Sequence, residues 1–283
     1  MNLHWSAFGT MALLLLAAPA SAANLKNYTY LALGDSIPFG FDPTLFATSI
    51  PAPDDFIGYP ELLRNPKAKK LLNAACPGET SGSFLVGRPP DNGCNGPGPG
   101  PQPPPPFKTW IGLKADYLGI SQMEFAVRQL QGNKHINLVT LSIGGNDLSL
   151  LEAECAGTAD FGGCVTPRLR VVLGHYGANL TQILAGIRQV YSGKLVLMTN
   201  YSPRADGLTT WVVGQLNCVM LDVGSQFGAQ IADGFTAFQV ASAPFGDDPC
   251  AAGLLVRRSA SSCDIHPSAL GRTVLAETVR RLN

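Results

Sequence analysis

Apolar positions fall along this chain in two alternating rhythms. Residues 28–33 form a short, mostly apolar run ending in Gly34-Asp35-Ser36, and 70–75 form a second; both predict strands. The run 136–143 is almost continuously apolar, as in a strand covered on both faces, and 195–199 repeats that pattern. Between the strands the spacing becomes helical, over 121–130, 167–190 and 209–231. In 167–190 one face carries Leu169, Tyr176, Leu180, Ile183 and Ile187; in 209–231 it carries Val212, Leu216, Val219, Val223 and Phe227. Residues 238–241 predict a last strand. Pro267 opens a final helix to 281, since proline is tolerated in a first helical turn.

Strand and helix in alternation imply a parallel sheet with helices on both faces. The expected fold is α/β, a three-layer α/β/α sandwich, as one domain over 23–283. Two segments depart from the rhythm. Residues 88–107 are dense in proline and glycine, include Pro103 to Pro106, and predict an extended loop excursion. It is either an exposed, protease-resistant excursion or a rim over a substrate pocket. Residues 1–22 read as a signal peptide: an apolar run at 11–18, Pro19, then the small-x-small pattern Ala20-Ser21-Ala22. No later stretch is long and apolar enough to cross a membrane.

Composition narrows the function classes. Of the 283 residues 46% are hydrophobic and 14% charged, which supports a sizeable core. Twenty basic residues balance twenty acidic ones, and there is no basic stripe of the kind that binds nucleic acid. The seven cysteines form no Cys-x-x-Cys pair, so structural zinc and thioredoxin chemistry are not expected. In a secreted or periplasmic protein they form disulfides. Proximity in sequence favours Cys155 with Cys164, Cys250 with Cys263, and Cys76 with Cys94. Cys218 is then left over, on the polar side of its helix, which leaves other pairings open.

In open parallel sheets ligands sit beyond the carboxyl ends of the strands. Four segments fall at that edge: Gly34-Asp35-Ser36, the run from Asn73 to Gly78, Gly144-Gly145-Asn146-Asp147, and Asp264-Ile265-His266-Pro267. After residue 22 the chain has three histidines. His135 precedes a strand and belongs to the opposite edge, His175 lies inside a helix, and His266 alone sits at the edge in question. The pattern Gly-x-Ser-x-Gly of the other large serine-esterase architecture does not occur.

Taken in order, these blocks resemble the SGNH hydrolases, also called the GDSL family of esterases and lipases, over nearly the whole chain after residue 22. Gly34-Asp35-Ser36-Ile37 carries isoleucine where many members have leucine. The resemblance implies a flavodoxin-like sandwich with a central, mainly parallel sheet. It also implies Ser36 as nucleophile, His266 as base, and an oxyanion hole made by the backbone N–H groups of Ser36 and Gly78 and the amide of Asn146. The family's usual Asp-x-x-His is one residue shorter here, so either Asp264 or a backbone carbonyl near Cys263 orients the imidazole.

The residue types suit acyl transfer. A serine hydroxyl needs a base to take its proton, an imidazole supplies one, and fixed donors stabilise the tetrahedral oxyanion. Phe39 and Phe41, just past the nucleophile, are the expected acyl contacts. Neither a metal nor a cofactor is expected, since Asp247 and Asp248 have no third ligand nearby. The substrate is expected to be a small-molecule or lipid ester. The rivals are a polysaccharide O-deacetylase of the same fold and an exported, non-catalytic binding module.

Overall fold

Five parallel strands organise the computed structural model, which describes residues 29–63, 70–100 and 102–282. The signal peptide expected at 1–22 lies outside the described residues. Strand β1 (Thr29–Gly34) turns directly into the short helix α1 (Ser36–Phe39), and α2 (Tyr59–Leu63) precedes β2 (Lys70–Asn73). Helices α3 (Ser81–Val86), α4 (Phe107–Trp110) and α5 (Gln122–Gly132) lead to β3 (Ile136–Ser142). Helices α6 (Gly145–Cys155) and α7 (Phe161–Val190) follow, then β4 (Lys194–Met198), α8 (Gly207–Gln226), β5 (Gln230–Ala232) and α9 (Gly234–Ser242). The hairpin β6 (Leu255–Arg257) and β7 (Cys263–Pro267) comes before the last helix, α10 (Ala269–Arg280).

The sheet order is β2-β1-β3-β4-β5, the flavodoxin-like order. The chain leaves β1 for one side and returns to its other side at β3, so the order reverses there. A crevice opens at such a point, beyond the strand ends. Neighbouring residues of β1 face opposite ways and seed two cores. Leu31 and Leu33 join Val139, Leu141, Leu195 and Leu197 under α5, α7 and α8, where Phe125, Leu180, Ile183 and Leu216 close the layer. Tyr30 and Ala32 join Leu138, Val196 and Met198 under α2, α9 and α10, capped by Tyr59, Phe238 and Leu275. Those two layers around the sheet make the α/β/α sandwich.

Four boundaries differ from the sequence expectation. Residues 238–241 are helical, within α9, because Asp233 accepts a hydrogen bond from the Thr236 N–H and so caps a helix upstream of the run. Phe238 is buried there while Val240 points to solvent; four apolar residues do not distinguish strand from helix. The helix expected over 209–231 ends at Gln226, and Gly228, at φ +59°, turns the chain so that Ile231 falls in β5. The helix expected from Pro167 starts six residues earlier, capped by Asp160, and holds Pro167 inside. Pro267 ends β7 instead of opening α10, and Ser268 is the cap.

Candidate active site

Ser36 is the first residue of α1, at the point where β1 stops. A close approach produces that sharp turn. Gly34 lies at φ +129°, and a Cβ there would sit 1.8 Å from the Ser142 carbonyl oxygen on the neighbouring strand. Asp35 caps the turn by accepting from the Ile37 N–H at 3.0 Å, and its own N–H donates to Ser142. The Asp35 carboxyl is buried, and desolvation pushes it up to about 7, helped by the charges of Asp147 and Glu79.

His266 reaches Ser36 from the β6–β7 hairpin. Its Nε2 lies 2.9 Å from Ser36 Oγ. Its Nδ1 contacts Asp264 Oδ1, and its backbone N–H donates to the same oxygen at 3.1 Å. A carboxylate only accepts, so Nδ1 carries the proton and the Nε2 lone pair faces the serine hydroxyl. The two-residue spacing therefore lets Asp264 reach the imidazole, and the side chain orients the ring. Burial pulls the Asp264 carboxyl upward, but the hydrogen bonds and charge of His266, with Arg258 at 3.6 Å, outweigh it and leave it below its ordinary value. Three features hold the hairpin. The Cys250–Cys263 disulfide ties its base, Tyr201 donates to the Ile265 carbonyl at 2.6 Å, and the Phe41 ring lies 4.7 Å from the imidazole.

Asn146 enters from the first turn of α6. Gly144 before it lies at φ +117°, where a Cβ would meet the Tyr176 ring at 2.7 Å. The Asn146 Nδ2 donates to the Glu79 carbonyl at 3.0 Å, and its Oδ1 accepts from Asn92 Nδ2 at 3.1 Å. Gly78 is adjacent, at φ +86°, and packs so closely that a Cβ would stand 2.4 Å from the Asn92 carbonyl oxygen. The Asn92 N–H donates back to the Gly78 carbonyl at 2.8 Å. The Cys76–Cys94 disulfide clamps the two ends of this arrangement. Beneath it the buried Glu79 carboxyl accepts from Ser83, Asn95 and Gln122, and desolvation raises it to about 7.

A cavity of about 140 Å³ opens beside Ser36 and Asn146. Its walls are mostly apolar, including Ile37, Leu148, Leu151, Val165, Leu208 and Val212. Leu151, Phe161 and Val165 bring the α6–α7 junction, tied by the Cys155–Cys164 disulfide, into its lining.

The structure thus brings Ser36, His266, Asp264 and Asn146 to one edge of the sheet, with Gly78 joined to Asn146 through Glu79. It places the expected acyl contacts elsewhere. Phe39 is fully buried among Phe56 and Phe107, because the α1 turn points it into the core behind the nucleophile. Phe41 stands against the imidazole and does not line the cavity. The pairings of Cys76, Cys94, Cys155, Cys164, Cys250 and Cys263 follow sequence proximity, and Cys218 is free and exposed. Cys76, Glu79 and Cys94 lie close enough to share a metal ion, but the two sulfurs are bonded to each other. Sequence reasoning missed Asn92 and the cavity walls from α6 to α8. Nothing in the sequence marked Asn92, and α6 itself was not predicted.

Comparisons with known proteins bear on the fold and the family. The family model of the GDSL-like Lipase/Acylhydrolase family matches residues 32–274. No curated protein matches the sequence. Among solved structures, the extracellular lipase of Streptomyces rimosus superposes with TM-score 0.55 at 17% identity, covering 90% of this chain and 100% of that one. Phospholipase A1 of Streptomyces albidoflavus NA297 gives 0.56 at 17%, covering 90% and 98%. The acetylxylan esterase Axe2 of Geobacillus stearothermophilus gives 0.54 at 17%, covering 90% and 93%. At such identity the superpositions speak for the fold, and the match over most of the sequence speaks for descent: the chain belongs to the GDSL-like Lipase/Acylhydrolase family.

Proposed function

We propose that this protein is an exported esterase that hydrolyses carboxylic esters through an acyl-enzyme on Ser36. One observation carries the reading: Ser36 Oγ, His266 and Asp264 form a continuous hydrogen-bonded relay, with the serine 2.9 Å from the imidazole. As the ester carbonyl binds, Ser36 Oγ attacks its carbon and Nε2 takes the hydroxyl proton. Asp264 holds the ring and stabilises the imidazolium. The oxyanion accepts from the Asn146 amide and from the backbone N–H groups of Gly78 and Ser36. Nε2 then gives its proton to the leaving alcohol, and a water molecule releases the acid by the same route in reverse.

The acyl group goes into the cavity beside Ser36. A sealed cavity of about 150 Å³ holds a benzene-sized ligand, so this cleft, open to solvent at one side, has room for about six carbons. Its apolar walls favour a medium-length acyl chain over the acetyl group of a decorated polysaccharide, because each buried methylene contributes about 0.8 kcal/mol. Acetyl and hexanoyl esters of one alcohol, compared directly, separate the two substrate classes.

Export is supported by the apolar leader at 11–18 and by the three disulfides, which persist in oxidising compartments. We read the chain from residue 23 onward as one domain.

Ser36→Ala tests the assignment. It should lower p-nitrophenyl hexanoate hydrolysis by at least about 10⁴-fold while circular dichroism stays unchanged. Retained hydrolysis would end the reading. A wild-type protein that fails to react with a fluorophosphonate would favour the non-catalytic binding module instead.

A further inference from the structure

A primary amide has two ends of nearly equal size and opposite polarity. If Asn146 presents Nδ2 to the reacting oxygen it stabilises the oxyanion; rotated by half a turn about its last bond, it presents a carbonyl oxygen and repels it. The fold must therefore choose the end. The Glu79 carbonyl makes half of that choice, since it only accepts and meets Asn146 Nδ2 at 3.0 Å. The other half comes from a loop. Asn92 Nδ2 donates to Asn146 Oδ1 at 3.1 Å, complementing the orientation that the Glu79 carbonyl imposes.

We propose that Asn92, on the proline- and glycine-rich excursion, is the positioning residue of the oxyanion hole. Its side chain reinforces the orientation that the Glu79 carbonyl sets on the Asn146 amide. Its main chain holds the other donor as well, because the Asn92 N–H donates to the Gly78 carbonyl at 2.8 Å and its carbonyl oxygen packs where a side chain at 78 would stand. The excursion is thus a scaffold under the oxyanion site. Its own anchors fit that role: Asp91 accepts from the N–H groups of Gly93, Asn95 and Gly96, and Cys94 is bonded to Cys76. The inference rests on Asn146 acting as an oxyanion donor.

The test uses Asn92→Ala, Asn92→Asp and Asn146→Ala, singly and combined, in the full-length enzyme. Asn92→Asp has nearly the shape of asparagine but cannot donate; its carboxylate draws the Nδ2 end of Asn146 toward itself and away from substrate. We expect kcat to fall about 10-fold in Asn92→Ala and about 100-fold in Asn92→Asp, with KM and melting temperature nearly unchanged. A purely structural role gives the opposite ranking, because Asp replaces the volume of Asn and Ala does not. In the Asn146→Ala background neither change at 92 should cost more than about 3-fold. If the penalty of Asn92→Asp persists there, it arises from the added charge, and the proposal is overturned. It is also overturned if Asn146→Ala loses the expected 10²–10³-fold while both changes at 92 stay within 2-fold of wild type. If Asn146→Ala itself is harmless, the oxyanion reading of that residue falls, and this proposal falls with it.

Discussion

Asp264 sits two residues before the histidine it supports, so one carboxylate oxygen takes both the ring Nδ1–H and the backbone N–H of the same residue. This chelate fixes the imidazole in position and tautomer at once. Asp264→Asn keeps the shape but offers an N–H as readily as an oxygen, and so no longer enforces the tautomer. It should lower kcat at neutral pH by up to about 10⁴-fold, the loss such a change causes in a serine protease. Steady-state kinetics on a p-nitrophenyl ester checks this. A loss under 5-fold would mean that another group holds the ring. At this scale the sequence was most informative. Ser36, Asn146 and His266 lie beside glycines or prolines at the ends of strands, where local chemistry marks them. Asn92 bears no such mark, because its role depends on the path of an irregular loop and on a disulfide 18 residues long. Phe39 misled because the residues after Ser36 coil into a helical turn, which sends this ring backward into the core.

Helices α6, α7 and α8 line the cavity beside Ser36 that is proposed to take the acyl chain. Leu151 on α6 and Val212 on α8 face it, and both belong to the apolar cluster packed around the Cys155–Cys164 link. Shortening the cavity should shift chain-length preference without touching the chemistry. Leu151→Trp should lower kcat/KM for hexanoyl or longer esters by about 10- to 100-fold while leaving acetyl or propionyl esters within about 3-fold, in line with one to three kcal/mol per pocket change. A uniform loss across the series would place the acyl chain elsewhere. The elements themselves were only partly legible. Long amphipathic helices such as α7 and the double-covered strand β3 carry strong periodic signals. The three-residue strands β5 and β6 do not, and α6 was hidden because its residues split between the cavity and the protein interior instead of forming one stripe.

Across the whole molecule, the active edge rests on buried acids that are reluctant to ionise. Burial raises Asp35 and Glu79 from near 4 to about 7. The unfolded chain releases these protons at its ordinary carboxylate values, whereas the folded protein keeps them to near neutrality. Between about pH 4 and pH 7 the folded state therefore holds more protons, and stability falls as pH rises; above pH 8 both states are ionised and the trend stops. Asp264 acts in the opposite sense, costing stability only as pH falls below its ordinary range. The Asp35 share is roughly 4 kcal/mol at most, at 1.36 kcal/mol per pH unit. Asp35→Asn retains an oxygen for the Ile37 N–H and should flatten the decline, so that it melts higher than wild type at pH 8 and similarly at pH 4. Calorimetry across that range decides; parallel curves for the two proteins would show that Asp35 does not carry the effect.

None of the three covalent cross-links lies within the sheet, and two of them flank the Ser36 edge. The three fasten the turn after β2, the connection between α6 and α7, and the hairpin bearing the histidine. Recombinant material made in a bacterial cytosol, where glutathione keeps thiols reduced, would consequently show the spectrum of a folded α/β protein and turn over little ester. Passage through a periplasm, or air oxidation of the purified chain, would restore turnover with little change in that spectrum.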